Sequence, residues 1–180
     1  TVLGASSEVD NYVIQPLADQ VAGLTALPVK LLVKNSSATI TLETGAKLLS
    51  DSTVGVYANA VTDASGSASS SLISLGYARA VSTATIDIQA NVEILSRDAS
   101  VVITTSGEAT ANLSSSTSKD LSSTPNPGGS AAQFALAIAV SDANVTSHIT
   151  VAAGTTITAG KTANVIAGGD ISSEAEAETG

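Results

Sequence analysis

Asn35-Ser-Ser-Ala-Thr-Ile-Thr-Leu-Glu-Thr-Gly-Ala-Lys-Leu-Leu-Ser50 recurs as Asn144-Val-Thr-Ser-His-Ile-Thr-Val-Ala-Ala-Gly-Thr-Thr-Ile-Thr-Ala159, without a gap, at an offset of 109 (144 − 35). Asn35 matches Asn144, Ile40 matches Ile149, Leu42 matches Val151, Gly45 matches Gly154 and Leu48 matches Ile157. A third copy lies between them: Ala84-Thr-Ile-Asp-Ile-Gln-Ala-Asn-Val-Glu-Ile-Leu-Ser96 follows Ala38–Ser50 at an offset of 46 (84 − 38). It carries Asn91 where the other copies carry Gly45 and Gly154. Gly and Asn best tolerate a left-handed backbone, so a turn is expected at this position in every copy. After one inserted residue, Asp98-Ala-Ser-Val-Val-Ile103 repeats Asp51-Ser-Thr-Val-Gly-Val56.

Within each copy the apolar period is two. Ala84, Ile86 and Ile88 alternate with Thr85, Asp87 and Gln89; Ile40 and Leu42 alternate with Thr39, Thr41 and Glu43. This is strand alternation. Leu48, Ile94 or Ile157 marks a second strand of each copy, and Val54-Gly-Val56 or Val101-Val-Ile103 a third. Short strands recurring in register, separated by Gly, Asn, Asp or Ser turns, predict an all-β chain. The expected architecture is a β-solenoid (parallel β-helix) with Ser-rich loop insertions and about six coils, two per repeat. Residues 35–180 are assigned to the repeats, with copies beginning near 35, 83 and 144. Residues 1–34 are read as an N-terminal cap or degenerate coil, since Pro16 and Pro28 disfavour central strands.

The second and third copies stand 63 apart (149 − 86). Two loop excursions are expected to account for that irregularity, one over Asp63–Ser71 and a longer one over Ser114–Ser130. Glu174-Ala-Glu-Ala-Glu178 alternates acid with Ala, as a last strand with one wet face would; its carboxylates would discourage edge-to-edge pairing.

Composition agrees with a thin, elongated core. The chain lacks Cys, Met and Trp, and Phe134, Tyr12, Tyr57 and Tyr77 are its only aromatics, yet 43% of its 180 residues are hydrophobic. Small and β-branched side chains suit strands and narrow interiors. Absence of Cys excludes disulfides and thiolate chemistry. Seven basic against sixteen acidic residues give a net charge of −9, which repels phosphate backbones and anionic lipid, so no nucleic-acid partner is expected. No apolar run approaches the ~20 residues of a membrane helix. The chain opens with Thr1 and is read as a mature or excised piece of something longer.

Residues able to carry chemistry are sparse. His148 is the only histidine and is expected at an outward strand position. No Gly-x-Ser-x-Gly elbow surrounds any Ser. A polysaccharide-cleaving site would draw on Glu43, Asp87, Glu93 and Asp98, with Arg97 beside the last, but sugar-stacking aromatics are few. Asp51 and Asp98 recur at a turn, and Gly168-Gly-Asp170 matches part of a calcium-binding nonapeptide. An Asp at a turn is ordinarily there for its backbone hydrogen bond. Three sequons, at Asn35, Asn112 and Asn144, are close to what chance supplies in so Ser- and Thr-rich a chain. No catalytic, cofactor-binding or metal-ligating set is assigned, and no enzyme activity is expected.

Ile149-Thr-Val-Ala-Ala-Gly-Thr-Thr-Ile-Thr-Ala-Gly-Lys-Thr-Ala-Asn-Val-Ile-Ala-Gly-Gly-Asp-Ile171 resembles the repeats of very large bacterial exoproteins and adhesins, the filamentous-haemagglutinin-like class. The resemblance covers roughly residues 30–171. It implies a right-handed β-helix, secretion or display at the cell surface, and adhesion or scaffolding. The expected function is a structural or adhesive segment whose partners are neighbouring repeats, further copies of itself, or a host or matrix surface. The alternatives are a self-assembling filament or sheath subunit stacking end to end and, more distantly, a carbohydrate-binding or polysaccharide-cleaving β-helix. Binding would reside in protruding loops.

Overall fold

The structure, a computed structural model, describes residues 2–8, 29–70, 73–118 and 135–179. These residues form eleven strands: β1 (Val2–Glu8), β2 (Val29–Leu42), β3 (Lys47–Ser50), β4 (Val54–Asp63), β5 (Gly66–Ser70), β6 (Ile73–Ile88), β7 (Glu93–Ser96), β8 (Val101–Thr117), β9 (Leu136–Val151), β10 (Thr156–Ala159) and β11 (Ala163–Thr179). Among the described residues the structure is all-β, and every pairing is parallel. One long sheet has the order β2-β6-β9, a short sheet β10-β7-β3, and a second long sheet β1-β4-β8-β11, with β5 also on β8. From Val29 onward the chain visits the first long sheet, the short sheet and the second long sheet three times in the same sequence.

Strand register reproduces the repeat offsets. Ile40 lies beside Ile86 and Ile86 beside Ile149, at 46 and 63 residues. Val54 lies beside Val101, at 47, because the second pass carries one extra residue between β7 and β8. Where two turns per repeat were expected, each copy makes a single pass. The reason is strand length: β2, β6, β8, β9 and β11 run 14 to 17 residues, which gives the alternating pattern room to run far beyond the few residues that define the repeat.

One expected loop proves to be strand. Within Asp63–Ser71, Gly66–Ser70 pairs with Leu113–Thr117 at the same offset of 47 that β4 holds, so only Ala64 and Ser65 interrupt the ladder. Ala68 points inward and is buried while Ser67 and Ser69 face out. Likewise Ser114–Thr117 belongs to β8. Parallel pairing uses main-chain groups, so a run of small hydroxylic residues can extend a ladder wherever alternate positions tolerate burial. The spacing irregularity then has one source. Two residues separate β5 from β6, and eighteen (118–135) separate β8 from β9; the difference of 16 equals 63 − 47. Most of that segment, like residues 9–28 of the expected N-terminal cap, lies outside the described residues. Position 35 falls inside β2, whose pairing with β6 starts at Val29.

The left-handed turn expected in every copy is present. Gly45 (φ 76°), Asn91 (φ 59°) and Gly154 (φ 79°) occupy it in the three passes. No heavy atom lies within 4 Å of a Cβ built on Gly45, so only backbone strain opposes a side chain there; at Gly154 the added Cβ would strike Asn91 Oδ1. Replacing Asn91 with Gly should leave stability within a few tenths of a kcal/mol, whereas Asn91→Val should cost about 1–2 kcal/mol in a urea melt.

The two long sheets face each other and enclose two kinds of core. Beside the short sheet the interior is filled by Ile86, Ile88, Ile94, Val101, Ile103, Val54 and Val56, all 0% exposed. Farther from it, Ala78, Ala80, Ala109, Ala111 and Leu113 replace the large side chains. Here the sheets approach closely enough that large residues oppose glycines. A Cβ on Gly76 would sit 2.6 Å from Leu113 Cδ2, and one on Gly107 2.5 Å from Val145 Cγ1.

Hydroxyls cross from sheet to sheet, both between these cores and beyond the second of them. Thr62 Oγ1 donates to the Val81 carbonyl (2.9 Å), so Ser36 Oγ, 2.6 Å away, is the donor to Thr62. Ser115 Oγ reaches the Ser74 carbonyl and hydroxyl at 3.0 and 2.8 Å. Thr105 differs: it is 0% exposed, and its hydroxyl has no partner. Opposite signs are therefore expected for one substitution at two sites. Thr62→Val should destabilise by about 1–3 kcal/mol, and Thr105→Val should be neutral or stabilise by about 1 kcal/mol, read from denaturation midpoints.

Candidate functional surface

On each strand of the first long sheet, alternate residues face solvent, and the parallel register lines them up in rows across β2, β6 and β9. Toward the C-terminal ends of these strands the rows are Ser37–Thr83–Thr146, Thr39–Thr85–His148 and Thr41–Asp87–Thr150. His148 is thus outward and exposed, as its alternation predicts, amid hydroxyls. Next come Asn35–Val81–Asn144, which places two sequon asparagines on one row, and Val33–Arg79–Asp142, where Arg79 and Asp142 form a 3.3 Å ion pair. Beyond that pair the outer face turns apolar: Leu31–Tyr77–Val140, Val29–Leu75–Ile138 and Ile73–Leu136. Val29, Ile138 and Val140 are exposed, the others half-buried.

This apolar half-face escaped the alternation reading. Its signal is a loss of alternation: outward Val29, Leu31 and Val33 flank the inward Leu32, and Leu136-Ala-Ile-Ala-Val140 is apolar on both faces, the pattern of strands covered on two sides.

The acids proposed for sugar chemistry are not assembled. Asp87 lies beside Thr41 and Thr150, two positions from Glu43's level. Thr44 instead donates from its backbone NH and hydroxyl to Gln89 Oε1, at 3.1 and 3.2 Å. Glu93 is held by Lys47 at 2.9 Å, across neighbouring strands of the short sheet. Arg97 pairs with Asp51 (3.2 Å), while the Asp98 amide donates to the Asp51 carbonyl (3.2 Å). The recurring Asp51 and Asp98 are therefore joined through main chain and Arg97. Gly168, Gly169 and Asp170 lie inside β11 in extended conformation, Asp170 beside Glu108. Among the described residues no three His, Asp or Glu side chains gather closely enough to hold a metal ion.

These ion pairs are exposed and each contributes at most about 1 kcal/mol. Their common feature is geometric: each joins one pass to the next.

A shallow hollow of about 250 Å³ lies where β4 gives way to β5, lined by Ser65, Gly66, Asn112, Leu113, Ser114, Glu174 and Glu176. It is smaller than the roughly 300–1,000 Å³ of ordinary ligand pockets. Asn112 Oδ1, the third sequon side chain, is buried beside it without a hydrogen-bond partner. No helix of the described residues is long and apolar enough to cross a membrane. A scan against known protein families and searches of curated proteins and solved structures find no match to the chain.

Proposed function

We propose that the chain is a β-solenoid segment of a secreted or cell-surface repeat protein, with a structural or adhesive role and no catalytic one. The observation that carries this reading is register. Three parallel ladders, visited in one unvarying order, agree in their offsets to within one residue, at 46 or 47 from the first pass to the second and 63 or 62 from the second to the third. Repetition of that kind makes a scaffold whose length is set by the number of passes, since each pass adds one strand spacing, about 4.8 Å, to every sheet. The polar signals along the surface belong to the same design, as cross-pass ion pairs and rows of threonine. Resemblance to filamentous-haemagglutinin-like repeats supports secretion and surface display, and the apolar half-face of the first long sheet offers an adhesive patch.

Tandem fusion of two full chains tests the reading, with Lys30→Ala and Lys34→Ala in the second copy to remove the two ammonium groups at inward register positions of its first pass. Solution scattering should show one body that grows along the stacking direction by about 15 Å, three passes at about 4.8 Å, with its ~55 Å strand-direction width unchanged. Two separate globules on a tether would overturn it. Failure of coated beads to hold to matrix-coated surfaces would remove the adhesive part and leave the structural one.

A further inference from the structure

We infer that the hollow on the outer face of the second long sheet is a calcium site, built by Asn112 and Ser114 of β8 and Glu174 and Glu176 of β11, with Ser65 at its rim. The first sign is an orphaned acceptor. Asn112 points outward from β8, between the inward Ala111 and Leu113, yet its Oδ1 is buried and accepts no hydrogen bond. A buried carbonyl oxygen without a donor is costly, and such an atom marks a place where a water or an ion belongs. Thr105 and Thr117, whose hydroxyls also lack partners, sit at inward positions of the same strand, whereas Asn112 Oδ1 belongs to the wall of an open hollow.

Register decides what stands around that oxygen. Asn112 lies beside Glu174, and Ser114 beside Glu176. Neighbouring strands are about 4.8 Å apart and alternate residues of one strand about 6.7 Å, so the four Cα atoms mark a small rectangle with every side chain on one face. Ser65, at the break between β4 and β5, is level with Asn112 on the other flank. Its hydroxyl donates to Asp63 Oδ1, which leaves its own lone pairs free to act as ligands. Two carboxylates, one amide oxygen and two hydroxyls thus converge. Calcium takes about 6–8 oxygens of such mixed kinds and tolerates irregular geometry. The 250 Å³ of the hollow leave room for waters to complete its shell. Magnesium demands near-ideal octahedral geometry, and zinc favours His and Cys, neither of which lines the hollow.

Charge separates calcium from water as the occupant. A water would satisfy Asn112 but leave Glu174 and Glu176, on one face of one strand, without a counter-charge. Lys47, Arg79 and Arg97 are paired with Glu93, Asp142 and Asp51. Lys30 approaches Gly66 from the inner side, beside the buried Leu32. Ser141 of β9 donates to the Glu174 main-chain carbonyl from within, anchoring the β11 backbone at this level. Because outward positions make the site, a further strand paired to β11 would lie beside it and not over it. One calcium here ties the third pass to the second across the outer face.

Calcium chloride alone is the probe, added to the full chain after treatment with a chelator. At about 5 mM it should raise the melting temperature by about 3–6 °C over sodium chloride of equal ionic strength, as a site with Kd of about 0.5 mM would. Glu174→Gln with Glu176→Gln should weaken calcium binding at least tenfold in titration calorimetry. Asn112→Leu should melt no lower than the wild type without calcium, since the orphaned oxygen is gone, and should lose the calcium shift. Glu178→Gln, on the same face of β11 but outside the hollow, should keep the full shift. No shift beyond the salt control would overturn the site and leave water as its occupant. A loss with Glu178→Gln as large as with the double variant would overturn it in favour of a diffuse effect of surface charge.

Discussion

Gly160→Ala is expected to be the most damaging glycine-to-alanine change among the described residues, costing about 3 kcal/mol or more. The cause lies one pass away. Three residues connect β3 to β4 and β10 to β11, but four connect β7 to β8. The extra residue pushes the Arg97–Asp98 main chain out beneath Gly160. Gly160 N donates to the Ser96 carbonyl at 2.8 Å and Lys161 N to the Ala99 carbonyl at 3.0 Å, locking the two turns together. A Cβ on Gly160 would overlap the Arg97 carbonyl oxygen and lie 2.7 Å from its carbon. Neither atom belongs to a flexible side chain, so one of the turns must open. Gly168→Ala is the control. No heavy atom lies within 4 Å of its added Cβ, and the reduced freedom of the unfolded chain should make it neutral or stabilising by about 0.5 kcal/mol. Equal losses at the two sites in urea denaturation would refute the stacking of these turns.

Truncation of Ile94 to Ala should cost about 2–5 kcal/mol. Ile94 sits between Leu48 and Ile157 in the short sheet, 0% exposed, and closes the wide end of the core over Ile86, Ile88 and Ile103. The informative quantity is the ranking. Ile157 holds the equivalent position in the last pass but is only partly buried, so Ile157→Ala should cost about half as much or less. Chemical denaturation of both variants checks this. A larger loss at Ile157 than at Ile94 would mean that the central pass is not the one most enclosed.

Much of this architecture is legible in the residues, because each offset that aligns the copies is also a strand register. The single inserted residue before Val101, the substitution of Asn91 for glycine and the outward place of His148 all follow from alignment and alternation. Other features are hidden for physical reasons. Gly66–Ser70 has the composition of a loop, yet its ladder is made by main chain and asks only that Ala68 fit inside. The narrow core has the same origin: Ala78, Ala80, Ala109 and Ala111 look like weak core formers until the opposing sheet is known to be close. Nothing local marks Lys30 and Lys34 as inward, because only pairing with Gly76 and Ala80 places them. For the surface, residue types singled out Glu93, Asp51 and Asp98 but missed Asp142, and they misassigned the acids' company, since Lys47, Arg97 and Arg79 find their partners across passes.

Long strands set against closely approaching sheets also determine how such a body responds to load. Strands of 14 to 17 residues make each pass about 55 Å broad, while small inward side chains keep it thin over much of that breadth. Resistance of a beam to flexure rises steeply with its depth in the direction of bending. A stack of these passes therefore behaves as a ribbon, several-fold stiffer edgewise than flatwise. Side loads would deflect it in one plane, with the apolar outer half-face on one of its two broad sides. A shaft of this kind would lie flat along a surface it touches rather than meet it at a point.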